Sequence, residues 1–142
     1  MNKDYLVIKR LPSIEEYIRI CTSVGWKDFI NFDVAEESLK KSLFGVIIKH
    51  IDEVIGMGRI VGDGQIYFYI QDVAVDPTHQ GQGIGRLILE SLTEYLKENA
   101  PEKAFVGLFA YQGKEAFYNR YGLNKHEGMT GMFGVVIGQD IL

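Results

Sequence analysis

Residues 66–75, Ile-Tyr-Phe-Tyr-Ile-Gln-Asp-Val-Ala-Val, run through Asp76-Pro77 into Thr78-His79-Gln80-Gly81-Gln82-Gly83-Ile84-Gly85-Arg86. The reading of this stretch decides the fold. Its first part is rich in β-branched and aromatic residues and ends at Asp-Pro, the pattern of a strand stopped by a turn. Beyond the glycines, Ile84, Leu87, Ile88, Leu92, Tyr95 and Leu96 recur at three- and four-residue intervals, with Arg86, Glu90, Glu94 and Lys97 between them. That spacing predicts an amphipathic helix. A glycine-rich turn between the end of a strand and the start of a helix leaves backbone N–H groups unpaired at the positive end of the helix dipole, which makes an anion site. Glycines at 81, 83 and 85 remove side chains that would hold a phosphate away from those amides.

Three phosphate-binding patterns separate here. The P-loop needs Gly-Lys-Ser/Thr at its end, and no such tripeptide follows this turn. The dinucleotide fingerprint needs Gly-x-Gly-x-x-Gly, but Arg86 and Ile88 stand where the third glycine belongs in its two possible registers. Gln80-Gly81-Gln82-Gly83-Ile84-Gly85 does fit Gln/Arg-x-x-Gly-x-Gly/Ala, with Val-Asp-Pro before it and Arg-x-Leu after it. This block resembles the acetyl-CoA pyrophosphate loop of the GNAT superfamily of N-acetyltransferases. The resemblance extends to Ala116-Phe117-Tyr118-Asn119-Arg120-Tyr121-Gly122-Leu123, similar to the family's Phe/Leu-Tyr-x-x-x-Gly-Phe segment. It is convincing from about Val54 to Leu123 and topological only over the first fifty residues.

The rest of the composition sets bounds. At 142 residues the chain is expected to form one domain, 1–142, with a proper core. A net charge of −4 argues against a nucleic-acid partner, so CoA phosphates would be held by local geometry and a few cations. One cysteine, Cys21, excludes an internal disulfide, and with histidines only at 50, 79 and 126 no metal site is expected. No signal peptide or long apolar run is evident, so the expectation is a cytoplasmic protein without a membrane partner.

In chain order, 5–10 reads as a strand, and Ser13 with Glu16 has capping-box spacing for a helix to about Thr22. Asp33 is expected to cap a second helix over 34–42. Strands over 44–50 and 54–61 lead through Gly62-Asp63-Gly64 into the central strand. Asn99-Ala100-Pro101 stops the long helix, and 103–111 reads as a buried strand parallel to the central one. A short helix over 114–121 ends at Gly122, and two strands are expected near 123–127 and 132–137. The fold class is therefore α/β, with a mixed sheet, antiparallel in its first strands and parallel in the middle, flanked by about four helices. The apolar run from Gly128 to Ile137 offers an edge through which a homodimer could pair.

Acetyl transfer from acetyl-CoA to an amine makes three demands, and the resemblance assigns residues to each. The donor would lie along the backbone of Val73, Ala74 and Val75, with its diphosphate on Gln80, Gly81, Gln82, Gly83, Ile84, Gly85 and Arg86; Gln112 is placed with the same contacts. The amine must be neutral to attack, and at pH 7 only about one alkylammonium in a thousand is, a handicap of ~4–5 kcal/mol. Asp72 is the candidate base; its alternative role is to orient backbone at a bulge, with waters held by Gln71, Tyr67 and carbonyls removing the proton instead. The departing thiolate needs a proton, and Tyr118 is the family-matched acid. Trp26 and Phe29, with Tyr67 and Gln71, are the candidate acceptor pocket. Aromatic walls suit a small amine of arylalkylamine, polyamine or amino-sugar type. The alternatives are a protein or peptide acceptor, or a non-catalytic acyl-CoA sensor.

Overall fold

The computed structural model describes residues 4–142 and separates them into two compact units, one ending at Leu108 and one running from Phe109 to Leu142. Among the described residues the first unit holds β1 (Tyr5–Ile8), α1 (Ile14–Ser23), α2 (Ala35–Lys40), β2 (Phe44–His50), β3 (Glu53–Gly62), β4 (Tyr67–Val75), α3 (Ile84–Asn99) and β5 (Phe105–Gly107). The five strands form one sheet in chain order, with three antiparallel pairings and a parallel one between β4 and β5. The mixed sheet expected from the sequence is present.

Local chemistry explains the element ends. Ser13 accepts from the Glu16 amide while the Glu16 carboxylate takes the Ser13 amide, a complete capping box. Arg10 beside that carboxylate, chiefly through its hydrogen bonds, holds Glu16 down at about 2. The second helix starts differently from expectation. Asn31, not Asp33, caps a 3-10 turn at Phe32–Val34, and α2 follows from it without a side-chain cap of its own. Asp63 closes the β3–β4 hairpin by accepting from the amides of Gln65, Ile66 and Tyr67.

Alternation along β3 sorts the layers. Gly56 and Gly58 face α3, whose Ile84, Ile88 and Leu92 pack onto them. Met57 belongs to the opposite cluster with Tyr17, Ile20 and Cys21 of α1 and Ala35 and Leu39 of α2. Because helices cover both faces, β3 is buried from Val54 to Ile60. A Cβ on Gly58 would come within 2.6 Å of Ile88 Cγ2 and 3.2 Å of Leu92 Cδ1. Gly58→Ala is therefore expected to destabilise the fold by about 1–3 kcal/mol, the cost of overpacking. It should lower the urea midpoint without changing the slope.

The second unit contains α4 (Glu115–Asn119), ended at Gly122 in the left-handed region (φ 84°), and a small hairpin of β6 (Val136–Ile137) and β7 (Asp140–Ile141). Besides the strand expected near 132–137, which is ordered only at Val136–Ile137, two expectations are corrected here. The strand read over 103–111 is ordered as strand only at Phe105–Gly107, and residues 123–127 form no strand. In the first case the parallel pairing with β4 extends only over Tyr67–Tyr69, opposite Phe105–Gly107. In the second, Asn119 and Asn124 side chains bond to nearby groups, including the carbonyls of Leu123 and Gly122, and favour turn over ladder.

Candidate active site

The site begins with a defect in β4. Met57 pairs with Ala74 and Arg59 with Gln71, so Asp72 and Val73 together oppose Gly58. This is a β-bulge, and its extra residue, Asp72, sits at φ 56° in the left-handed region, which Asp tolerates better than most side chains. Beside it β5 pairs only over Tyr67–Tyr69. Among the described residues, then, Ile70–Val75 of β4 has no strand partner on the β5 side. Its main-chain groups there can take an extended ligand in the manner of strand addition. One acceptor is already used: Gln80 Nε2 donates to the Val75 carbonyl at 3.1 Å.

The bulge is held from the α1–α2 side. Arg59 Nε donates to Asp72 Oδ2 at 2.7 Å and the Tyr17 hydroxyl donates to the same oxygen at 3.0 Å. Burial, with the Asp72 charge second, pushes the Tyr17 phenol well above its ordinary range, so it stays protonated as a donor. The sequence singled out Asp72 but not Arg59 or Tyr17. The signal for Arg59 was a lone charge inside Val54-Ile55-Gly56-Met57-Gly58-Arg59-Ile60, a run that buries both faces and so demands a counter-ion on a neighbouring strand.

The glycine-rich turn has the geometry of an anion site. Asp76 closes a 3-10 turn at Pro77–His79 by accepting from the Thr78 amide and hydroxyl. Gly81 and Gly83 adopt φ of 80° and 81°, and a Cβ added at either would meet nothing within 4 Å. Gly83 is the N-cap of α3, which no side chain caps. The first amides of a 16-residue helix are thus open toward space that two glycines leave clear. The Arg86 side chain is exposed, 3.5 Å from Glu90. The open amides of residues 80–86 can receive an anion, and the unpaired edge of the bulged strand an extended chain.

Of the acceptor candidates, Trp26 is half-buried and packs with Ile30 and Phe32 against the Tyr17–Leu39–Met57 cluster. Phe29 is 80% exposed. Tyr67 is exposed beside Phe105, and Gln71 lies in β4 next to the bulge. The first unit therefore carries Asp72, Gln71, Tyr67, Val73–Val75, residues 80–86, Trp26 and Phe29. Tyr118 and Gln112 belong to the second unit. There Tyr118 lies on α4 with its ring 5.0 Å from that of Phe117, and burial raises its phenol above the ordinary range. Gln112 is exposed in the turn before α4. Among the described residues no group of three or more His, Cys, Asp or Glu side chains could hold a metal ion, and no helix is long and apolar enough to cross a membrane.

Residues 11–123 match the model of the acetyltransferase (GNAT) family. A solved structure from meticillin-resistant Staphylococcus aureus, described as a protein of unknown function and "Probable Acetyltransferase", superposes with a TM-score of 0.85 at 32% identity, over 94% of this chain and 99% of that one. An uncharacterized N-acetyltransferase, ycf52, of Pyropia yezoensis is 28% identical over 133 residues, 91% of this chain and 75% of its own. A Glycine max protein named histone acetyltransferase TAP1 is 30% identical over 125 residues, and this chain spans 53% of its length.

Proposed function

The chain belongs to the acetyltransferase (GNAT) family, and on that premise we propose that it transfers an acetyl group from acetyl-CoA to the primary amine of a small molecule, of arylalkylamine, polyamine or amino-sugar type. The observation that carries the donor half is the pairing of an uncapped α3 N-terminus behind Gly81 and Gly83 with a β4 edge that β5 leaves after Tyr69. Bound there, acetyl-CoA supplies the thioester that the amine attacks. The family match runs from the first unit into the second, ending at Leu123, and supports reading residues 1–142 as one N-acetyltransferase domain.

The residues divide the work as follows. Amides of the 80–86 turn neutralise the diphosphate, with the Arg86 guanidinium available for a charge-assisted bond and Gln112 for a polar one. The main chain of Val73, Ala74 and Val75 aligns the donor arm. As the amine nitrogen bonds to the acetyl carbon and the carbon–sulfur bond breaks, the amine gives up a proton and the sulfur gains one. Tyr118 donates to the sulfur; its burial-raised pKa keeps the phenol protonated at neutral pH. For the amine proton there are two routes, the Asp72 carboxylate directly or waters held by Gln71, Tyr67 and backbone carbonyls. Double engagement of Asp72 Oδ2 by Arg59 and Tyr17 favours the water route.

Trp26, Phe29 and Phe32 supply the aromatic character that supports a small amine. The name of the Glycine max relative favours the second reading, a polypeptide amine. CoA release measured over phenethylamine, spermidine, glucosamine and lysine-containing peptides separates them. Turnover with at least one small amine and little with peptides is the expected result; peptide turnover alone would overturn the small-molecule reading. With the best amine, Trp26→Ala is expected to raise the acceptor KM about tenfold or more, equivalent to ~1.4 kcal/mol of lost ring contact. An unchanged acceptor KM would take Trp26 out of the pocket.

A further inference from the structure

Arg59 is the one charged side chain of β3 that helices cover, 9% exposed, and acetyl transfer as described above does not use it. A guanidinium in such a place persists only if its donors are matched. Here the fork divides between two parts of the first unit, the β4 bulge on one side and α2 with the turn after it on the other. Nε reaches the bulge carboxylate of Asp72. Nη1 donates to the Ser38 carbonyl at 3.1 Å and to Ser42 Oγ at 3.0 Å, and Nη2 donates to Ser38 Oγ at 3.2 Å, which ties it to α2 and the turn beyond. Tyr17 of α1 closes the third side. Its hydroxyl shares the Asp72 oxygen, its ring centroid lies 5.9 Å from Arg59 Cζ, and Phe32 packs edge-on against it at 6.4 Å.

These contacts span two assigned regions. Asp72 is the residue whose left-handed backbone makes the bulge, next to Val73–Val75 where the donor arm is placed. Phe32, Ser38 and Ser42 belong to the segment that carries the acceptor candidates and to the helix it leads into. Left-handed φ at a residue with a side chain is kept only where its surroundings hold it. A planar fork with fixed donor directions is the side chain suited to that, in a way a lysine point charge is not.

We propose that Arg59 is a positioning residue that locks the donor strand to the acceptor-side helix, so that ordering of one by acetyl-CoA orders the other. The inference rests on the donor and acceptor assignments above and adds a mechanical link between them. It also gives Asp72 a task other than proton removal.

Hydrogen exchange with acetyl-CoA as the only added ligand tests the link without knowledge of the acceptor. In the wild type, acetyl-CoA is expected to slow exchange in 73–86 and also in α2. In Arg59→Met, protection of 73–86 should persist while that of α2 is lost. Because a buried Asp72 left without its partner can impair folding, the double variant Ser38→Ala/Ser42→Ala is measured beside it; it keeps the ion pair, cuts the tie to α2 and should give the same split. Kinetics with the best amine of the panel should show an acceptor KM raised tenfold or more with an acetyl-CoA KM within threefold, whereas a merely structural defect moves both or neither. Arg59→Lys should restore only part of the acceptor KM. Equal α2 protection in wild type and in either variant would overturn the link, as would an acceptor KM unchanged in both. Absence of protection anywhere in the wild type would instead remove the donor assignment itself.

Discussion

Replacing Tyr118 with Phe is expected to lower kcat by roughly 10²-fold or more while the affinity for acetyl-CoA stays within about threefold. The lower bound is the usual contribution of a positioned proton donor. A phenol at its ordinary pKa of ~10 giving a proton to a thiolate near ~8.5 works uphill by about 2 kcal/mol. Burial on α4 moves Tyr118 further that way. In the proposed reaction the phenol would therefore act by stabilising charge as it develops on sulfur, more than by completing a transfer beforehand. The pH profile checks the sign. A raised pKa extends the donor form to higher pH than in an ordinary phenol, so the midpoint of any loss of kcat caused by Tyr118 ionisation lies above that of an ordinary phenol. Rapid-mix or steady-state CoA release with wild type and Tyr118→Phe gives both numbers. Equal kcat values would exclude Tyr118 from the reaction.

The second large effect is on the donor. Gly83→Val is expected to weaken binding of CoA at least thirtyfold by calorimetry, with only a small change in thermal stability. At φ 81° a residue with a Cβ costs about 1–2 kcal/mol, or roughly 5–30-fold if the turn must keep its shape to bind. A branched side chain adds bulk at the opening where the amides of α3 emerge. Nothing lies within 4 Å of an added Cβ, so the fold loses no packing and bears at most the backbone strain itself. Gly58, within β3, is the contrasting case, where an added methyl strikes α3 and the cost is stability. Undiminished CoA affinity in Gly83→Val would place the diphosphate elsewhere.

What could be read from the sequence, and what could not, follows the range of the forces involved. Ser13 with Glu16, Gly62-Asp63-Gly64, and the strand–glycines–helix unit around Gly81 and Gly83 are local codes, closed within a few residues, and their structures follow from them. The parallel β4–β5 pair also follows, because a crossover helix leaves few other arrangements. The bulge follows only in outline: it was one of two roles expected for Asp72, but an extra residue in one strand is defined against its partner, so its place opposite Gly58 is visible only in the folded sheet. For Arg59 a lone charge in a buried run signals a counter-ion, but its partners are fixed only once Asp72, Tyr17, Ser38 and Ser42 converge from β4, α1, α2 and the turn after α2. The long reading of β5 over 103–111 failed because an apolar run says that a segment is buried or sticky, not how far it pairs with a neighbouring strand. In the same way Asn31 replaced Asp33 as a cap, both being good caps within two residues of each other.

Cys21 has a practical bearing on all of these measurements. It is the chain's single cysteine, fully enclosed on α1, and burial pushes its thiol up to about 11. A disulfide dye such as Ellman's reagent therefore has almost no thiolate of the protein's own to react with near neutral pH, and the colour it develops during turnover counts liberated coenzyme. Once the chain denatures the same sulfur becomes reactive, so one reagent can follow the chemistry of folded molecules and titrate the damaged fraction of every variant.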